Sequence, residues 1–190
     1  GPVAKLSYKL SRSGGSSLDK LFRELDSQGL CDLRQFDPTS GSDERQYCAG
    51  SLNLPIGQLA RTVPGGYAEY HTSKDNKDFV QLERFVKTIS EIETFLKIHE
   101  FCWPLSRHEP NCELMLGRRG LYPNLNSPET WSDSSDMLPG STHQLNAIQY
   151  LLSYADGVND ICDIAQVSKI DVQILSTFVK KLVDLKLLDR

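Results

Sequence analysis

Five of the chain's nine prolines, Pro104, Pro110, Pro123, Pro128 and Pro139, fall between residues 100 and 141 of 190. That clustering constrains what the chain can build. Proline fixes φ, has no N–H to donate and pushes the residue before it out of helical space. Ser, Asn and Gly fill much of the remainder, and only "ELMLGRRGLY" has any apolar density. The stretch reads as an irregular connector over 100–141 that lies on one or both of the domains it joins. The chain therefore divides into residues 1–99 and residues 142–190.

The first part reads as α/β. Leu6 to Leu10 forms a strand-like run, and "SSLDKLFREL" follows with Ser16 or Ser17 as N-cap and Leu18, Leu21, Phe22 and Leu25 on one face. Gly29 stops that helix. "LCDLRQFD" resumes as a strand, "DPTSGSDERQ" is a polar turn-rich loop, and "LNLPIGQLA" reads as a further strand. In "RTVPGGYAEYHTSKDN", Pro64, Gly65 and Gly66 exclude regular structure. From Lys77 the period becomes helical: Phe79, Leu82, Phe85 or Val86, Ile89, Ile92 and Leu96 recur at steps of three and four, with Asp75 or Asn76 as cap.

The tail holds three helical patterns, "HQLNAIQYLLSYA", "DICDIAQVS" and "IDVQILSTFVKKLVDLKLLD". Three helices with a short middle one match a winged-helix or helix-turn-helix core. Its expected buried stripe is Ile174, Leu175, Phe178, Val179 and Leu182.

Composition narrows the functional classes. A formal net charge of −4 gives no general reason to bind polyanions, and residues 143–190 carry five Lys or Arg against six Asp. Phosphate neutralisation dominates nucleic-acid affinity, so DNA is disfavoured as a partner. No apolar run is long enough to span a membrane and no secretory signal is legible, which gives no membrane partner and a cytoplasmic expectation. Five cysteines (Cys31, Cys48, Cys102, Cys112, Cys162) without a CxxC pair suit reduced thiols. Gly1-Pro2 in place of an initiator Met implies a longer parent protein.

Two loops carry groups suited to chemistry: Asp43, Glu44, Arg45 and Tyr47 in one; Tyr67, Glu69, Tyr70, His71 and Asp75 in the other. A neutral imidazole is a good zinc ligand and a nearby acid can fix its tautomer. From spacing alone, however, a histidine in a loop is more often a solvated or hydrogen-bonded residue than a metal ligand. "HEFCWPLSRHEPNC" places His99, Cys102, His108 and Cys112 loosely at structural-zinc spacing but matches no standard finger. There is no GxSxG elbow and no phosphate-cradling glycine loop.

The block "SDERQYCAGSLNLPIGQLARTVPGGYAEYHTSKDNKDFV", Ser42 to Val80, resembles the final active-site region of the co-catalytic zinc aminopeptidase family, which includes bacterial leucyl aminopeptidase and glutaminyl cyclase. It is most similar to the bacterial aminopeptidase-like subgroup that carries a C-terminal winged helix. "YKLSRSGG" and "LGRRGLY" extend the resemblance over nearly the whole chain. The family's "HTxxD" segment supplies the last zinc ligand, which by resemblance is His71, with Asp75 in its second shell. "SDERQ" resembles the family's "SDH" pocket loop, which by resemblance makes Asp43, Glu44 and Arg45 substrate-binding residues, and Tyr70 beside His71 is expected to shape the same pocket. The family's earlier His, bridging Asp, Glu base and further acids have no counterpart here.

The expected fold is thus part of a zinc-aminopeptidase-like mixed sheet with flanking helices, followed by a small all-α winged-helix-like module. The expected activity is that of a zinc-dependent hydrolase of peptide N-terminal residues or related amides. The chain would carry one partial zinc site of the family's two, no catalytic residue of its own, and no turnover alone. The alternative is a non-catalytic scaffold linked to surface polysaccharide biosynthesis; a DNA-binding regulator is the third reading. Oligomerisation, or pairing through the incomplete sheet, is expected.

Overall fold

A computed structural model describes residues 4–61, 63, 66–122 and 141–189. The turn signal at Pro64-Gly65 and the stretch 123–140 of the expected connector lie outside the described residues. The chain forms two compact units, Gly1–His99 and Glu100–Arg190.

The first unit is built around β1 (Ser7–Lys9), the central strand of a three-stranded mixed sheet. It pairs in parallel with β2 (Asp32–Arg34), Tyr8 opposite Leu33, and antiparallel with β3 (Gln58–Ala60), Tyr8 opposite Leu59. Leu6, Tyr8 and Leu10 alternate onto one face and are all buried. α1 (Ser17–Ser27) covers that face with Leu21, Phe22 and Leu25, each contributing about 2 kcal/mol by removal from water. The Phe22 ring stacks on Tyr8 at 4.1 Å.

α1 starts where the sequence indicates because Ser16 and Asp19 form a reciprocal capping box. Asp19 also accepts from the Ser11 amide and hydroxyl and from the Tyr8 hydroxyl. Burial raises the Asp19 pKa, but these bonds to its ionised form outweigh that and hold it below the usual carboxylate value. The same burial, with Asp19 beside it, pushes the Tyr8 hydroxyl well above its ordinary value.

The opposite face of β1 is polar and also buried. Lys9 is 1% exposed and pairs with Glu44, itself 7% exposed, on a short helix α2 (Asp43–Tyr47). Lys9 also donates to the Ser40 carbonyl at 2.9 Å and lies over the Phe36 ring. The loop expected over 37–46 therefore contains a helix that a buried charge draws onto the sheet. Gly41, at φ +108°, allows this approach: a Cβ there would collide with both Lys9 Nζ and Glu44 Oε1.

α3 (Leu82–His99) begins five residues after the expected Lys77. Asn76 does cap, but what it closes is a turn, through the amides of Asp78 and Phe79. Only Phe95 and Ile98 of α3 are buried; Leu82, Phe85, Val86, Ile89 and Leu96 are exposed.

The second unit contains α4 (Ser141–Tyr154), α5 (Ile161–Ser168) and α6 (Val172–Asp184). Leu175, Phe178, Val179 and Leu182 are buried as expected, with Val172 in addition, whereas Ile174 is half-buried. The third helix stops at Asp184 where the pattern continues to Asp189. A left-handed Lys186 at φ 53° turns the chain into β5 (Leu188–Asp189), antiparallel to β4 (Ser106–Arg107). Residues 100–122 thus belong to this unit, with Leu105, Leu114 and Leu121 buried in it. The all-helical expectation omits this two-stranded ribbon, whose strands are too short to show a period.

Glu44 supplies a stability test. Burial raises its pKa, and the Lys9 ammonium and Ser42 amide outweigh that, so it sits below its ordinary value. A depressed carboxylate contributes stability fully above its unfolded pKa and loses it as pH falls through the folded one. Glu44→Ala should cost about 3 kcal/mol at pH 7 by stranding Lys9, measured by urea unfolding. The deficit should shrink below pH about 4.

Candidate functional site

Residues 66–80 fold as successive turns that support one another. Thr72 donates its amide and its hydroxyl to the Glu69 carbonyl, and its hydroxyl oxygen accepts from the Lys74 amide. The Asp75 amide donates to the Thr72 carbonyl at 3.2 Å. Four rings line up along this loop: Phe79 stacks with Tyr67, Tyr67 meets Tyr70 edge-on at 5.6 Å, and Tyr70 stacks on His71 at 3.9 Å. Aromatic pairs of this kind contribute about 1 kcal/mol each beyond their buried area.

His71 has φ 59°, a left-handed backbone that costs an L-residue about 1 kcal/mol. Its imidazole is exposed, and neither ring nitrogen has a hydrogen-bond partner among the described residues. Asp75 is exposed too, but it accepts from the Tyr67 hydroxyl at 3.0 Å, a bond that raises the Tyr67 pKa. No hydrogen bond joins Asp75 to His71 among the described residues. The bridging role of Tyr67 is a feature that sequence reasoning missed.

The second expected loop separates into different environments. Asp43 is exposed in the first turn of α2. Glu44 is turned inward to Lys9, with Gln58 Nε2 at 3.4 Å, so it is a structural anchor in this fold. Arg45 is half-buried, and its Nε is buried without a hydrogen-bond partner among the described residues. Among the described residues no hydrogen bond or ion pair connects Asp43, Glu44 or Arg45 with Tyr70, His71 or Asp75. The structure therefore assembles Tyr67, Tyr70, His71, Asp75 and Phe79 into one cluster and Lys9, Glu44 and Gln58 into another. The sequence signal for the second cluster is the lysine in the otherwise strand-like "LSYKL".

Zinc needs three or four nitrogen, sulfur or oxygen donors around one point. Among the described residues no three His, Cys, Asp or Glu side chains converge in that way. His71 is a single donor, so the residues present do not by themselves fit the ion. The 99–112 spacing candidate also disperses. His99 bonds Ser17 at 2.8 Å, His108 bonds Asp189 at 2.9 Å, Cys102 lies 3.9 Å from Cys162, and Cys112 is exposed. Buried Cys31 has its thiol pushed up to about 12 by desolvation, which keeps it inert. No described helix is long and apolar enough to cross a membrane.

A loop held by its own turns and rings should not need its left-handed histidine for folding. His71→Asn loses the stack on Tyr70, about 1 kcal/mol, and regains a similar amount because Asn tolerates the left-handed backbone, so thermal stability should stay within about 0.5 kcal/mol of wild type. Tyr67→Phe, which removes the bond to Asp75, should cost no more than about 1 kcal/mol.

Comparison with known proteins places these features. A winged helix-turn-helix model matches residues 103–190, in accord with the three helices and ribbon of the second unit. A Clostridium acetobutylicum protein, provisionally named as a polysaccharide biosynthesis protein with an aminopeptidase-like domain, is 27% identical over 179 residues. That match covers 87% of this chain and 36% of the relative. The crystal structure of a provisionally assigned peptidase from Clostridium acetobutylicum superposes with a TM-score of 0.71 at 24% identity, over 100% of this chain and 39% of that one. The superposition establishes a shared fold, and the chain spans well under half the length of either relative. Residues 1–101 match the model of a domain of unknown function, DUF4910, and the chain belongs to that family.

Proposed function

We propose that this chain forms part of an aminopeptidase-like hydrolase fold acting on peptide N-terminal residues or related amides, to which it contributes one metal donor, His71. The observation that carries the reading is the presentation of that side chain. A non-glycine residue holds a left-handed backbone, its imidazole is open to solvent, and its ring is oriented by Tyr70. Backbone strain of this kind concentrates at functional positions. The aminopeptidase-like name of the Clostridium relative agrees with this assignment. Asp75, Tyr70, Asp43 and Arg45 are then positioning and pocket residues, and zinc is the metal that suits an imidazole donor.

A co-catalytic zinc hydrolase activates water between two cations and requires a base to take its proton. One imidazole does neither, so this chain alone should hold zinc only weakly and turn over nothing. Elemental analysis after dialysis against zinc should return well under one equivalent, and His71→Ala should lower it further. Hydrolysis of aminoacyl p-nitroanilides should be absent. Zinc retained at one equivalent or more, or peptidase turnover by the 190-residue chain, would contradict the single-donor reading.

The second reading, a non-catalytic scaffold in surface polysaccharide production, draws on the other half of the relative's name and on the internal engagement of Glu44 and Asp75. Zinc retention indifferent to His71→Ala would favour it. We further propose that the winged-helix unit packs against protein surfaces. Lys180, Lys181 and Lys186 are exposed, but Asp171, Asp184 and Asp189 offset them. Retention on duplex DNA at physiological salt should be no greater than that of an acidic control protein.

A further inference from the structure

Cys102 and Cys162 stand 60 positions apart in the sequence, yet their sulfurs lie 3.9 Å from one another inside the second unit. The backbone around them builds this approach. The Leu105 amide donates to the Asn159 carbonyl at 2.9 Å, the Gly157 amide donates to the Leu105 carbonyl at 2.8 Å, and Ser106 bridges Asp156. Leu105 itself is fully buried. The chain just after Cys102 is thereby fastened to the chain just before Cys162, which holds the two cysteines side by side.

The two thiols differ in setting. Cys162 is buried in the first turn of α5, where its amide donates to Asp160 Oδ1 at 2.8 Å. Cys102 is half-buried on irregular backbone between α3 and β4. A disulfide needs sulfurs about 2.05 Å apart, so closure asks for an approach of about 2 Å, and Cys102 is the side that no helix or strand locks. The other three cysteines are placed otherwise. Cys31 and Cys48 are buried in the first unit, where their thiols donate to the carbonyls of Phe22 and of Leu54 and Ile56. Cys112 is exposed.

We propose that Cys102 and Cys162 form a redox-active dithiol, a modification site at which a low-molecular-weight disulfide closes an intramolecular disulfide within the second unit. The inference is independent of the functional reading above. The Cys102 thiolate, the more accessible of the two, attacks one sulfur of the small disulfide; a mixed disulfide forms and one small thiol leaves. The Cys162 thiolate then attacks the Cys102 sulfur and releases the second small thiol. Two protein thiols are oxidised to one disulfide, and the small disulfide is reduced to two thiols that carry away the two protons. The bond closes a ring that contains β4 and α4, which restricts the unfolded chain and stabilises the folded unit.

The test treats the whole chain, reduced and then freed of reductant, with 2-hydroxyethyl disulfide under native conditions, followed by alkylation and peptide mapping by mass spectrometry. The expected product is Cys102 linked to Cys162, reversed by reductant, with the thermal midpoint of the oxidised chain raised by about 10 °C. Cys162→Ala should stop the reaction at the mixed disulfide on Cys102, with no thermal gain. Cys102→Ser, at a half-buried position, should leave the buried Cys162 unmodified, and it carries the test where loss of the Cys162 sulfur unfolds the unit. Cys112→Ser should leave the yield of the link unchanged. Wild-type chain in which Cys102 and Cys162 both remain open to alkylation after unfolding would overturn the proposal. So would Cys102 linked to Cys112 in place of Cys162, or a link to Cys162 that forms only in urea.

Discussion

The buried pair of Lys9 and Glu44 is the interaction on which the first unit depends. β1 is central, so both of its edges are paired, and both of its faces are buried, yet only one is apolar. An ammonium in the interior is tolerable only with a partner charge and with hydrogen bonds for its remaining protons. Glu44, the Ser40 carbonyl and the Phe36 ring supply these. Meeting that demand draws residues 40–47 onto the sheet, makes Gly41 a position with no room for a side chain, and turns a polar loop into a short helix. The same arrangement turns the Glu44 carboxylate inward, away from the surface.

The loop that holds His71 follows a different logic. It has little buried area and is organised by local turns and a row of rings, so its geometry is nearly independent of the core. That independence lets it keep a histidine in an unfavourable backbone conformation. It also explains why this donor stands apart from the Lys9 cluster: the two loops that the sequence suggests as one pocket belong to separate structural units of interaction. The two relatives are more than twice as long as this chain.

Legibility from sequence tracked the range of the determining forces. α1 was readable to within a residue or two because Ser16, Asp19 and the Leu21, Phe22, Leu25 stripe are all local. The three C-terminal helices were readable for the same reason, with Asp160 capping α5 through its own capping box. α3 was readable as a helix, but its period could not say which apolar positions would be covered. Phe95 and Ile98 are, and Phe85 and Ile89 are not, because that depends on what lies opposite. β4 and β5 were invisible: two residues carry no period, and their pairing spans more than 80 positions of sequence. The assignment of a metal role to His71 rests on resemblance rather than on spacing. Spacing could not show that Tyr67, and no imidazole, would take the Asp75 carboxylate.

The central claim is that His71 is held open as a lone metal donor, whereas His99 and His108 are engaged by Ser17 and Asp189. The most direct measurement is a zinc titration followed by the imidazole resonances of all four histidines. The account predicts that His71 shifts first, without saturating at one equivalent, and that His99 and His108 lag behind. Saturation at one equivalent through His99 or His108, with His71 unmoved, would contradict it.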